Sequence, residues 1–391
     1  MKLTSFLSSI ALLCCAVFSG AQERNAMPSA VAEDGFNCFG IIAGSAATTD
    51  GCVLLAHNED DSGDQMLNIY RFEPTESHYG YLWFEFPGLK SADAFMNEYG
   101  VCIASDMCAS REDETVPGSV HYEIRTSAAR HARSARDAVK IMGAMVERYG
   151  YSSTGRSYLV ADRSEGWVCS IVRGKHWVAQ RVPDDEIMVI PNYYVIGEVD
   201  LSDTENFMGS SDLIDYAVEK GWYNPQKDGR FNFRLAYSDP GFLTMELNVT
   251  RHEMAQKSLF GDASLDSEVV FSRKPARKVS RLELSELLTK EPLYRSSTVL
   301  TTVFSLDPSK SIREGSIVWV GYPSQKVADH AAWTLDTPVP DSFHRYDSAM
   351  DALYRHFRAE GLRESHPEYF FWKYLDARDL HFAEESVQQN Q

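Results

Sequence analysis

Residues 37–60 read NCFGIIAGSAATTDGCVLLAHNED. Cys38 stands at the head of an apolar run, FGIIAGSA at 39–46, which fits a buried strand. Thr48-Thr49-Asp50-Gly51 is a turn, and CVLLAH at 52–57 fits the returning strand. An antiparallel hairpin carries the far end of its second strand back beside the start of its first. Asp60 follows just past that end, after His57, Asn58 and Glu59, and is therefore expected near Cys38.

The position of Cys38 suggests a chemistry. If the peptide bond before it is cut, the new α-amine and the thiol belong to one residue. In small compounds an α-amine titrates near about 7.7–8 and a thiol near about 8.5. The amine can then take the thiol proton near neutral pH, and one residue supplies both nucleophile and base. Asp60 is placed to orient the ammonium form. This chemistry calls for neither a metal nor a cofactor.

Upstream of Cys38 the chain changes character. Lys2, the apolar run FLSSIALLCCAVF at 6–18 and Ser19-Gly20-Ala21 read as a secretory signal over 1–21. Leu13 precedes Cys14, which does not suit lipidation. Residues 22–37 are polar and aperiodic and read as a propeptide. A single domain is expected over 38–391, in an exported protein, periplasmic or extracellular. No later segment is apolar for long enough to span a bilayer.

The formal net charge of −18, unrelieved by any Lys/Arg cluster, excludes a nucleic-acid binder. Of seven cysteines, Cys14 and Cys15 fall in the signal, leaving Cys38, Cys52, Cys102, Cys108 and Cys169. The number is odd, so in an oxidising compartment at least one thiol stays unpaired within the chain. The absence of C-x-x-C argues against zinc ribbons and thioredoxin-like chemistry.

Downstream, strands are expected at 67–73, 79–86, 100–105, 157–162, 166–172, 176–182, 186–196, 298–305 and 315–321. Helices are expected at 124–148, 210–220 and 345–375. Another is expected at 280–290, where Ser280 and Glu283 have capping-box spacing. Strand-rich and helical runs in separate blocks indicate an α+β layered sandwich. His252-Glu253 begins a zincin-like pattern, but Gln256 occupies the place of the second ligand. No nucleophile elbow or phosphate loop appears. Asn248-Val249-Thr250 matches a glycosylation sequon, a triplet common by chance.

Taken together, the pieces resemble the cysteine-type dipeptidase family of N-terminal-nucleophile hydrolases, to which the dipeptidases of lactic-acid bacteria and the secernins belong. The resemblance is carried by Cys38, Ala47-Thr48-Thr49-Asp50-Gly51, Asn58-Glu59-Asp60 and Met96-Asn97-Glu98-Tyr99-Gly100-Val101. It continues through Tyr158-Leu159-Val160-Ala161-Asp162, Gly166-Trp167, Gly174-Lys175-His176-Trp177-Val178-Ala179, Arg181-Val182-Pro183-Asp184-Asp185 and Pro191-Asn192. It implies an αββα sandwich, self-removal of the segment before Cys38, and hydrolysis of small amides, most often dipeptides. By position it makes Cys38 the nucleophile, Asp60 the residue beside its amine, and Asn192 an oxyanion donor. Asn192 also follows the apolar run at 187–190 and Pro191, where its amide can project from a strand end.

Two departures stand out. Relatives often carry Arg or Lys three positions before the aspartate, where this chain has His57, whose charge depends on pH. The chain also stops at Gln391, shorter than many dipeptidase relatives, so a part of the usual C-terminal region is expected to be missing or trimmed.

Candidate substrate contacts are His57, Asn97 and Arg295. Each site residue has a structural alternative: a core cysteine for Cys38, a turn cap for Asp60, a satisfied buried amide for Asn192, a turn residue for Asn97, and surface positions for His57 and Arg295. Three functions stay open. A dipeptidase needs charge partners for the substrate termini. An acylase or acyltransferase acting on N-acyl amides or conjugated bile acids needs an apolar slot, for which Tyr70, Trp83, Phe84 and Phe86 are candidates. A non-catalytic exported binding protein would keep an uncut N-terminus. The expected partner is a small peptide or amide, and a homo-oligomer is compatible with the sequence.

Overall fold

Along Phe39–Ala43 the side chains alternate between two apolar surroundings. Phe39, Ile41 and Ala43 join one buried cluster, and Ile42 joins another. A strand buried on both faces needs cover on both, and the chain supplies it with a second sheet and with helices. The computed structural model describes residues 38–60, 68–85, 92–111, 120–121, 123–261, 269–295, 297–321, 327 and 330–339. The expected signal, propeptide and C-terminal helix lie outside these residues.

Strands are numbered in chain order. The first sheet runs β12 (Ser272–Arg273), β10 (Ile187–Ile190), β1 (Phe39–Ala43), β2 (Val53–Asp60), β13 (Thr298–Leu306), β14 (Ser316–Gly321), β15 (Ala331–Trp333). The second runs β11 (Phe207–Gly209), β9 (Trp177–Val182), β8 (Gly166–Gly174), β7 (Tyr151–Ala161), β6 (Cys102–Met107), β5 (Ala92–Asn97), β4 (Tyr81–Glu85), β3 (Asn68–Phe72). All neighbours are antiparallel.

Inward residues of both sheets, including Ile42, Leu55, Phe84, Leu159 and Phe304, share one core. Helices α1 (Glu123–His131) and α2 (Ala135–Tyr149) pack Ile124, Ala128, Val139 and Met142 against the outer face of the second sheet. Shorter helices α3 (Leu213–Glu219), α4 (Phe233–Tyr237) and α5 (Pro240–Leu243) precede α6 (Glu246–Phe260). With α7 (Arg281–Leu288), α6 covers the outer face of the first sheet through Ala255, Leu259, Leu284 and Leu288. A short α8 (Ile312–Gly315) precedes β14. The layers are thus αββα, the N-terminal-nucleophile architecture that the resemblance implies.

The hairpin forms as expected, with Gly40 opposite His57 and Ile42 opposite Leu55. The capping box at Ser280 and Glu283 is present in full. Two expectations are corrected. The helix expected over 124–148 is broken, because Ser134 accepts a hydrogen bond from Asp137 N and starts a new helix. The strand expected over 186–196 stops at Ile190. Just beyond it, Asn192 takes a left-handed conformation with φ 60°, which a ladder does not accommodate.

Candidate active site

The β1–β2 register, continued by one residue, sets Cys38 against Glu59 at the open end of the hairpin. Cys38 is buried, and its Sγ lies 4.0 Å from the backbone carbonyl oxygen of Asp60. Among the described residues all the cysteines are buried and outside disulfides.

Asp60 is fully buried and held from two sides. Arg251 Nη2 lies 3.3 Å from its Oδ2, and the Thr298 hydroxyl donates to its Oδ1. Burial raises the Asp60 carboxyl from 3.8 to about 6, opposed by Arg251, Thr298, Arg295 and His57. Arg251, on α6, spreads its planar guanidinium over several acceptors. Nη2 also donates to Leu293 O at 3.1 Å, and Nη1 donates to Asn192 Oδ1 at 3.3 Å. Its face stacks 5.3 Å from the Phe39 ring centre.

Asn192 is fully buried. Its Nδ2 donates to Met107 O at 3.1 Å while its Oδ1 faces Arg251. The amide is thus oriented from both ends, by a carbonyl of the second sheet and a guanidinium of the outer helix layer.

His57 lies inward from β2, buried rather than facing solvent. Its Nε2 is 3.3 Å from Asp106 Oδ1 and 4.0 Å from Glu59 Oε2. Asp106 comes from β6 in the opposite sheet. Burial raises its pKa and His57 pulls it down. Gly40 makes this approach feasible: a Cβ there would lie 2.8 Å from Asp106 Oδ2 and 2.6 Å from Leu159 Cδ2. Cys38 Sγ, a His57 ring nitrogen and a Glu59 oxygen all lie within 4.8 Å of one another.

Arg295 and Thr298 are tied through Arg295 N to Thr298 Oγ1 at 3.0 Å, and the Arg295 charge acts on Asp60. Asn97 is not brought into this cluster. Its Nδ2 donates to Ala129 O and Ala132 O at 3.2 and 2.8 Å, and its Oδ1 accepts from Tyr99 N and Val101 N. Its amide therefore closes the end of α1 and the β5–β6 turn, the turn role that the sequence offered beside a substrate contact. Of the apolar-slot candidates, Phe84 is fully buried in the core and Trp83 stacks on Phe95. Tyr70 packs against the cores, and Phe86 lies outside the described residues.

Sequence reasoning missed Arg251, Asp106 and Thr298. It also missed Arg156, which donates to Ser105 Oγ at 3.0 Å and whose charge is felt by Cys38 and Glu59. The buried face of α6 carries Asn248, Arg251, His252, Ala255, Gln256 and Leu259. That is helical spacing written largely in polar residues, which a hydrophobic stripe does not reveal. The burial of Asn248 also takes its sequon out of reach in the folded protein.

The profile of peptidase family C69 matches residues 93–298 of this chain. The chain is 23% identical to the probable dipeptidase A of Streptococcus pyogenes serotype M1, covering 81% of this chain and 82% of that one. It is 37% identical to dipeptidase A of Lactobacillus helveticus over 105 residues, 27% of this chain and 21% of that one. Among solved structures, penicillin V acylase from Agrobacterium tumefaciens matches with a TM-score of 0.36 and 12% identity, over 73% of this chain and 82% of that one. A Caenorhabditis elegans N-acylethanolamine-hydrolyzing acid amidase ortholog matches with a TM-score of 0.36 and 12% identity, over 68% and 92%.

Proposed function

This chain belongs to peptidase family C69 and is a hydrolase of amide bonds, and on that premise we propose that it is an exported dipeptidase with Cys38 as nucleophile, matured by removal of residues 1–37. The observation that carries the reading is the buried Cys38 thiol at the mouth of a hairpin, beside an Asp60 fixed by Arg251 and Thr298.

Once the bond before Cys38 is cut, the α-amine accepts the thiol proton and the thiolate adds to the substrate carbonyl carbon. The carbonyl π-electrons move to oxygen, where the second Nδ2 hydrogen of Asn192 is the proposed donor. Collapse of the intermediate expels the amine, which takes the proton from the Cys38 ammonium and leaves a thioester. Water then adds, giving its proton to the α-amine, and the carboxylic acid departs as the thiol is restored. Asp60, kept ionised by Arg251, holds the ammonium form in place.

The charges around the thiol favour a dipeptide over an acyl chain. Glu59, with an oxygen within 4.8 Å of the thiol, offers a carboxylate toward a substrate ammonium. Arg295 and His57 offer nitrogen donors toward a carboxylate. The aromatic residues suited to an apolar slot are largely spent in the cores.

N-terminal sequencing of active protein should give Cys-Phe-Gly-Ile, and iodoacetamide should abolish dipeptide cleavage. Full activity in protein still carrying residues 22–37 would overturn this reading, because the α-amine base would not exist.

A further inference from the structure

We propose that Cys38, His57 and Glu59 form a binding site for a divalent cation of the zinc type, and that an ion held there closes the nucleophile reversibly. The thiol sulfur, an imidazole nitrogen and a carboxylate oxygen lie within 4.8 Å of one another, on residues 2%, 1% and 8% exposed. Zinc accepts all three donor types at about 2.0–2.3 Å in a tetrahedral shell. Donors in such a shell stand about 3.5 Å apart, so filling the site requires side-chain movement on the order of 1 Å. Calcium, which takes about 6–8 oxygen ligands, does not suit this set.

A further feature favours a cation. Asp106 Oδ1 lies 3.3 Å from His57 Nε2, the nitrogen that also approaches Glu59 Oε2 at 4.0 Å, so a second buried carboxylate adds negative charge beside the three donors.

Binding forms a metal–sulfur bond and releases the thiol proton to solvent, with no change of oxidation state. The sulfur lone pair that would attack a carbonyl is then engaged by the metal. Cutting before Cys38 adds the α-amine as a fourth donor on the same residue, closing a five-membered N,S chelate. That addition rests on the maturation proposed above, whereas the three side-chain donors do not.

The test is a Co2+ titration of full-length protein and of protein beginning at Cys38. It reads the near-ultraviolet sulfur-to-cobalt charge-transfer band, with Zn2+ stoichiometry measured by equilibrium dialysis. A single ion per chain is expected, with a sulfur band that disappears in Cys38→Ser and an affinity lowered about tenfold or more in His57→Gln. Zn2+ should abolish the activity of the mature protein, and a chelator should restore it. Folded wild-type protein of either form that shows no sulfur band overturns the site, whatever the variants do. So does a band that survives Cys38→Ser or is indifferent to His57→Gln. Equal affinity in cut and uncut protein would overturn the amine's part, leaving the three-donor site standing.

Discussion

Arg251 Nη2 meets Asp60 Oδ2 at 3.3 Å, with both side chains wholly excluded from water. The pair joins α6 to the end of β2, and the same guanidinium reaches Asn192 Oδ1. Two residues proposed for separate steps of catalysis are thereby set by one cation. A buried ion pair repays its desolvation only when further hydrogen bonds satisfy it. Here Thr298 on the carboxylate and Leu293 O on the guanidinium supply them.

Arg251→Met should therefore do more than remove a charge. Breaking a buried pair from one side costs about 3–5 kcal/mol, unless Asp60 takes up a proton. A lower Tm and a loss of kcat of about a hundredfold or more are expected. Arg251→Lys keeps the charge but not the planar fork that spans Asp60, Asn192 and Leu293, so it should recover stability more than kcat. A Met variant with normal kcat would remove Arg251 from the positioning machinery.

Asp60 predicts opposite pH trends for stability and activity. Its carboxyl is raised from 3.8 to about 6, chiefly by burial. The folded chain thus holds that proton more tightly than the unfolded chain. The group's contribution to stability is full below about pH 4 and is lost as pH rises through about 6. Activity needs the ionised form, so kcat/KM should rise along an acid limb centred at or below about 6, because the Cys38 ammonium of the mature enzyme adds a stabilising cation. Thr298→Val removes a hydrogen bond that lowers this pKa and should move the limb to higher pH. A limb unmoved in that variant would belong to another group.

The parts of this molecule built on apolar periodicity were legible in the sequence. The β1–β2 hairpin, β7 to β9, α7 with its capping box, and β13 and β14 all follow from it. So did the juxtaposition of Cys38 and Asp60, which depends only on hairpin geometry. Arg251 was not legible, because α6 buries polar residues and lacks an apolar stripe. Asp106 was not legible either. It meets His57 across the gap between two sheets, and no local pattern encodes which strands face each other. The break between α1 and α2 was hidden by an alanine-rich run that continues helical spacing through Ser134.

Gly40 tests the cross-sheet contact. A methyl group added there meets Leu159 Cδ2 at 2.6 Å, Asp106 Oδ2 at 2.8 Å and Ile190 Cγ2 at 3.0 Å. Overpacking of this kind costs about 1–3 kcal/mol. Gly40→Ala should therefore lower Tm and displace Asp106 from His57. If that pair helps bind a substrate terminus, KM should rise more than kcat falls. An unchanged Tm would mean that the two sheets separate here at little cost.

Asn192 separates catalysis from structure. One Nδ2 hydrogen is committed to Met107 O at 3.1 Å, and the other is the proposed oxyanion donor. A donor that acts on charge developing in the transition state affects kcat rather than KM. Asn192→Ala should lower kcat by about a hundredfold or more with KM changed little. It also unmakes the bonds to Met107 and Arg251 and puts alanine at φ 60°, so some loss of stability is expected as well. Asn192→Gly, which adopts that backbone conformation without strain, separates the two effects. The comparison is best made on protein with Cys38 already exposed by another protease, since cutting before Cys38 passes through a similar tetrahedral intermediate. A folded Gly variant with normal kcat would leave oxyanion stabilisation to backbone amides or another side chain. A Gly variant that is stable and slow would place Asn192 at the reacting oxygen.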